Sequence, residues 1–360
     1  MEINKIGIVG LGLMGGSLAK AIKKHTNINI VAYNLTEDDL IEAKNDKIIE
    51  DYVFGDFEQI NKEFFSNCNI VFFATPINLI INEIKFIQPF LPKDCLISDL
   101  GSTKNSISKE MEKINANYIG GHPMTGSEKV GYQNSLDYLF ENAYFILTPL
   151  PYIEKKSLES LKSLIKTIGA IPLVMDGKSH DKAVSGISHS PHLIASALVN
   201  TVKDLDSELN MHKLAAGGFK DITRIASSNP NIWTAISMDN RKEIICFLEN
   251  FNNTINEVIT TLKNKEEKNI YNFFESSQTY RNTFENRKST KYTLSVNIED
   301  KPGVLATMCS VLSFNEISIK NISIVNNREY DEGVLKIQFK DEDDLVRAKE
   351  LLINMSFNVI

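Results

Sequence analysis

Short apolar runs separated by polar, turn-rich stretches dominate the first half of the chain. Ile6–Val9, Asn29–Tyr33, Asn69–Thr75, Cys95–Leu100, Tyr118–Gly120, Ala143–Thr148 and Ile171–Met175 each read as a short strand. Apolar stretches at helical spacing lie between them, Leu18–Lys24 and Ile153–Ile168 being the clearest. Strands alternating with helices predict an α/β unit, a doubly wound, mostly parallel sheet with helices on both faces. The pattern changes near Gly177. From there to about Arg287 only helical spacing recurs, in Asp181–Val202 (interrupted by Pro191), Ile232–Met238, Lys242–Leu262 and Glu266–Phe284. It changes again after the polar run at 285–290. Tyr292, Leu294, Val296 and Ile298 alternate with polar residues, and the order strand, helix, strand, strand, helix, strand to Ile360 predicts a ferredoxin-like unit. Three domains follow: 1–176, an all-helical 177–287, and 288–360.

The first strand runs into Gly10, Leu11, Gly12, Leu13, Met14 and Gly15, with glycines spaced G-x-G-x-x-G. Strand, tight turn and helix start are the context of a Rossmann-type dinucleotide site, with the helix start offering N–H groups to phosphates. Ligands of such sheets lie beyond the carboxyl ends of the strands. Thr75-Pro76, Ser102 and His122 occupy such ends, and Ser102 or Thr103 is expected to cap the helix that follows. At the end of the second strand, where an acidic residue accepts from the adenosine ribose of NAD, this chain has Asn34. With no Arg nearby for a 2′-phosphate, the reading leans to NAD and leaves NADP open.

Composition narrows the partners. The 360 residues carry a formal charge of −7, with no dense basic cluster, which argues against nucleic acid or an anionic membrane. No apolar stretch is long enough to span a bilayer and no signal peptide fits, so the expected location is cytoplasmic. Cys68, Cys95, Cys246 and Cys309 have neither disulfide nor zinc spacing, and no metal site is expected.

His122, after a buried strand, has the ionisation of a general base, or is a turn histidine satisfied by backbone. Ser188, His189 and His192 lie on adjoining helical turns, as a polar pocket wall or an interhelical contact. Arg224 could fork onto a substrate carboxylate or pair with Asp221. Trp233 is core or pocket wall, and His180 has no evident partner.

The runs GLGLMGGSLA at 10–19, DLGSTK at 99–104, GGHPMTGSE at 120–128, ISHSPH at 187–192 and GGFKDITRIA at 217–226 together resemble prephenate dehydrogenases, and IEDKPGVLA at 298–306 resembles an ACT domain. The resemblance implies NAD-dependent oxidative decarboxylation of prephenate to 4-hydroxyphenylpyruvate, the precursor of tyrosine. It implies that His122 accepts the hydroxyl proton and that Ser102 bonds the same hydroxyl and orients His122. Arg224 would meet a carboxylate, Ser188, His189 and His192 would line the side-chain end, and Trp233 would stand near the substrate. The long helices of the second domain point to a homodimer, and the ACT-like tail implies feedback by L-tyrosine, with Asp300, Pro302, Gly303, Val304 and Asn321 as candidate effector residues. Arogenate dehydrogenase is the near alternative. A hydroxy-acid dehydrogenase would want Lys where His122 stands, and a non-catalytic sensor should have lost Ser102, His122 or Arg224.

Overall fold

The computed structural model describes residues 3–127, 129–284, 292–299, 301–325 and 332–360. Asp300 and the polar run at 285–290 lie outside the described residues. The chain divides into two compact units, Met1–Asn253 and Thr254–Ile360.

In the first unit β1 (Lys5–Val9), α1 (Leu13–His25), β2 (Asn29–Asn34), α2 (Asp38–Asn45), β3 (Asp51–Phe54), β4 (Ile70–Phe73), α3 (Ile77–Ile87) and β5 (Leu96–Asp99) build a five-stranded parallel sheet in the order β3-β2-β1-β4-β5. Its central strands β1 and β4 are apolar from Ile6 to Val9 and from Ile70 to Phe73 because both faces are covered. Ile6, Ile8, Phe72 and Leu96 point into one core, and Val9, Val71, Phe73 and Ile97 into the other. α1 begins at Leu13, five residues earlier than its apolar spacing suggests, since Gly15 and Gly16 are helical. Strand β3 escapes the hydrophobic pattern because it is a short edge strand with partly exposed residues.

After α4 (Asn105–Lys113) the sheet departs from a single parallel layer. β6 (Ile119–Pro123), β7 (Tyr144–Pro149) and, beyond α5 (Lys155–Thr167), β8 (Ile171–Val174) form a separate three-stranded sheet in which β6 and β7 are antiparallel. One parallel bridge, Ile97 to Tyr118, joins it to β5. The Asp99 carboxylate takes the place of further ladder bonds, accepting from Gly121 N at 3.2 Å, Gly101 N at 2.9 Å and the Tyr118 hydroxyl at 2.7 Å. The buried Lys104 ammonium pairs with the same carboxylate.

Helices follow: α6 (Gly177–Val184), α7 (Ser190–Leu209), α8 (Met211–Leu214), α9 (Gly217–Thr223), α10 (Pro230–Asp239), α11 (Arg241–Lys263) and α12 (Glu267–Asn282). Between α6 and α7 the backbone widens into a π turn over Ser185–His189, just before Pro191, whose ring nitrogen has no hydrogen for a helical bond.

The second unit contains β9 (Thr293–Glu299), α13 (Val304–Phe314), β10 (Ile319–Val325), β11 (Glu332–Phe339), α14 (Glu342–Asn354) and β12 (Asn358–Val359). The antiparallel order β10-β11-β9-β12 is the ferredoxin-like arrangement expected from the alternation. Leu294, Val296, Leu335 and Ile337 pack against Met308, Leu312, Ala348 and Leu352.

Candidate active site

β1, β4 and β5 are parallel, and the bridge to Tyr118 carries their direction into β6, so the residues that follow all four strands lie along one edge. Gly10 turns at φ +94°, where a Cβ would stand 2.9 Å from Ala74 and Thr75. A Cβ on Gly15 would come within 2.0 Å of the Gly10 carbonyl oxygen, so α1 presses onto the turn. The space beside Gly12 is open, and α1 starts there with no side-chain cap. An open cradle against uncapped N–H groups fits a dinucleotide pyrophosphate. Leu11 and Leu13 are buried beneath it, and Met14 is half-buried.

Around this cradle, Asn34 is half-buried and its amide lies 3.4 Å from Asp39 Oδ2. Asp39 also accepts from Tyr132 N at 3.2 Å. Thr75 donates to the Glu83 carboxyl, which burial pushes up to about 7, and Pro76 is exposed at the start of α3.

His122 belongs to a chain of hydrogen bonds. Its Nδ1 lies 2.7 Å from His180 Nε2, and His180 Nδ1 lies 2.8 Å from Asp181 Oδ1. Asp181 also accepts from Lys104 N at 2.8 Å and Asn105 N at 2.9 Å, so this carboxylate caps α4 in place of Ser102 or Thr103. A carboxylate bonded to two backbone donors is an acceptor, so His180 carries its hydrogen on Nδ1 and accepts on Nε2. His122 must then donate from Nδ1, which leaves its Nε2 with a lone pair. Burial, with His180, Lys104 and His189 as further causes, holds the His122 imidazole well below its ordinary pKa, so it is neutral near pH 7. As a residue, His122 is half-buried.

His189 is 1% exposed, its pKa lowered to about 4 by burial. Asn240 Nδ2 lies 3.1 Å from His189 Nδ1 and 2.8 Å from the Asp181 carbonyl, tying His189 to the same network. His192, buried and with its pKa lowered in consequence, stacks on Trp233 at 3.5 Å between ring centroids. Trp233 also meets His189 edge-on at 6.3 Å. Ser188 is half-buried on the π turn.

Two expected arrangements are absent among the described residues. Ser102 is half-buried on the turn after β5 but makes no hydrogen bond to His122; His180 orients that ring instead. Arg224 is exposed and pairs with neither Asp221 nor the histidine network, although its 3-10 turn, Arg224–Ser227, packs on α7. His180, Asp181, Asn240, Asp39 and Glu83 were not evident from motif spacing. The adjacent His180-Asp181 pair near a helix start was the one signal available.

A dinucleotide cradle at the carboxyl edge of a parallel sheet, with a neutral, oriented imidazole along the same edge, is the arrangement of a dinucleotide-dependent oxidoreductase. Residues 18–174 match the model of the prephenate dehydrogenase nucleotide-binding domain, and 176–276 that of the prephenate dehydrogenase dimerization domain. The chain belongs to the prephenate dehydrogenase family. It is 33% identical to prephenate dehydrogenase of Bacillus subtilis (strain 168), over 96% of this chain and 94% of that protein. It is 35% identical to the Lactococcus lactis subsp. cremoris enzyme, over 97% and 98%. The crystal structure of prephenate dehydrogenase from A. aeolicus with hydroxyphenyl propionate and NAD+ aligns at a TM-score of 0.74 and 29% identity, covering 79% of this chain and 99% of that one.

Proposed function

We propose that this chain oxidatively decarboxylates prephenate to 4-hydroxyphenylpyruvate with NAD. The observation that carries the reading is the Asp181–His180–His122 chain, which leaves a basic nitrogen on His122. Bound NAD supplies the hydride acceptor. His122 Nε2 takes the C4 hydroxyl proton as C4 gives up hydride; the ring carboxylate leaves as carbon dioxide, and its electrons complete the aromatic ring. The proton returns to the phenolate oxygen. His180 and Asp181 hold the imidazolium that forms transiently, as a buried acid does in a catalytic triad. Ser102 is suited to donate to the same hydroxyl, and Arg224, with Ser188, His189, His192 and Trp233, to receive the carboxylates and side chain.

NAD fits better than NADP because Glu37, Asp38 and Asp39 follow Asn34 and would repel a 2′-phosphate. The domain division proposed is nucleotide binding in 1–176, substrate binding and dimerisation in 177–287, and regulation in 288–360. Exposed Ile255, Ile259, Leu262, Phe273 and Phe274 give α11 and α12 the apolar surface a homodimer would cover. For the regulatory unit, an ACT-like tyrosine site is proposed at Pro302, Gly303, Val304 and Asn321. Pro302, Gly303 and Asn321 are exposed, Gly303 turns at φ +91°, and the β10 register shifts at Asn321. Among the described residues no helix is long and apolar enough to cross a membrane; a cytoplasmic location is proposed together with the NAD-dependent reading. The deciding experiment follows NADH or NADPH formation with prephenate and with arogenate, with and without tyrosine. Turnover of arogenate alone, or of neither substrate, would overturn the reading, and indifference to saturating tyrosine would remove the effector.

A further inference from the structure

Asn240 stands where α10 meets α11 and is 4% exposed. Its amide nitrogen faces two atoms, the Asp181 carbonyl oxygen at 2.8 Å and His189 Nδ1 at 3.1 Å. A carbonyl oxygen only accepts, so the group facing it is the NH2 and not the amide oxygen. The second hydrogen of that NH2 serves His189 Nδ1, which must present a lone pair. A neutral imidazole carries one hydrogen, here on Nε2. His189 Nε2 is buried and has no partner among the described residues, an arrangement that native interiors avoid unless the group has a use.

We infer that Asn240 is a positioning residue that holds His189 as the Nε2–H tautomer, making it a neutral donor to a substrate oxygen. The ligand chemistry is a carboxylate or keto oxygen, and that part rests on the prephenate reading. The two histidines are thereby set to opposite polarity. His122 is turned to accept and His189 to donate, and both settings run through Asp181, by its carboxylate in one case and its carbonyl in the other. Burial keeps His189 uncharged near neutrality, so its donor role does not require an imidazolium. The titratable groups around it are Asp181 and His180 on α6, Asp239 on α10, His192 on α7 and His122 on β6.

The test is long-range proton–nitrogen NMR of the full chain labelled with 15N-histidine, in which His189 is assigned by its loss in His189→Gln. In the free enzyme His189 should show a protonated Nε2 and an unprotonated Nδ1 across pH 6–8. 4-Hydroxyphenylpyruvate should then shift the Nε2–H signal. A protonated Nδ1, or an Nε2–H indifferent to a ligand that does bind, would overturn the inference. Asn240→Asp replaces the donor with an acceptor and should reverse the tautomer. It should also raise the KM for prephenate about tenfold or more at pH 8, with a smaller rise at low pH as His189 becomes charged. An unchanged KM at both pH values would equally overturn it. The tautomer is read without substrate, so the expected spectrum in an enzyme that turns over no prephenate would defeat the proposed reaction and spare the tautomer assignment.

Discussion

His122 Nδ1 and His180 Nε2 stand 2.7 Å apart, and Asp181 on the far side of His180 decides which of them donates. Asp181→Asn removes that decision, since the amide can offer hydrogen as well as accept it. The expected loss in kcat is about 10²–10⁴-fold, the scale of a lost general base. NAD affinity should be nearly unchanged. Both Asp181 oxygens accept from backbone at the start of α4 and an amide has only one acceptor oxygen, so the melting temperature should fall by the equivalent of about 1 kcal/mol, one lost hydrogen bond. A fall in stability with full kcat would reduce Asp181 to a capping residue.

His122→Asn should bind NAD normally and lose turnover by a similar factor. In the unaltered enzyme kcat/KM falls only where His122 becomes protonated, and burial lowers that pKa. The rate should therefore stay level as the pH drops through about 6.5, the ordinary histidine value, with the acid limb below it. A limb centred at or above that value would contradict the neutral, buried base.

Arg224 is exposed and bonded to nothing in the histidine network, so its loss should leave the fold intact. Arg224→Ala is expected to raise the KM for prephenate sharply, by about tenfold or more, in keeping with a lost charged partner. The melting temperature should barely move. An unchanged KM would take Arg224 out of the carboxylate site.

The acidic start of α2 should set cofactor choice. Asp39→Ser removes the carboxylate beside Asn34 and should narrow the preference for NAD over NADP by about tenfold or more, through tighter binding of NADP. Titration of the enzyme with each dinucleotide checks this without substrate. Equal preference in the parent enzyme would disprove the role.

Glu83 gives a stability effect of known sign. Its carboxyl is raised to about 7 from an ordinary 4.5, so the folded chain holds the proton more tightly than the unfolded one. That stability is full below pH 4.5 and is lost as the pH rises through 7, to a total of about 3 kcal/mol. Glu83→Gln should therefore lose less of its melting temperature between pH 5 and pH 8 than the parent. Parallel pH profiles would mean that Glu83 is ionised when folded.

What was legible in the sequence was local. Buried strands announce themselves by unbroken apolar runs, and Gly10 and Gly15 by their spacing after the first strand, where backbone contacts exclude a side chain. His122 could be picked out because it follows such a strand. Its partner His180 is 58 residues away, and Asn240 lies 59 residues beyond Asp181; no periodicity connects them. The split of the sheet after β5 was equally hidden; there the Asp99 side chain accepts from Gly121 N, 22 residues on, a contact no local pattern signals. The π turn at Ser185–His189 follows from Pro191, yet the sequence suggests only an interruption there.

Asp181 has both oxygens committed to the first backbone hydrogens of α4. The carboxylate therefore cannot swing aside to release His180 while that helix end is formed. Unravelling a single turn of α4 would leave the imidazole of His122 without a preferred proton, so local melting at a distant residue would silence the chemistry well before the core came apart.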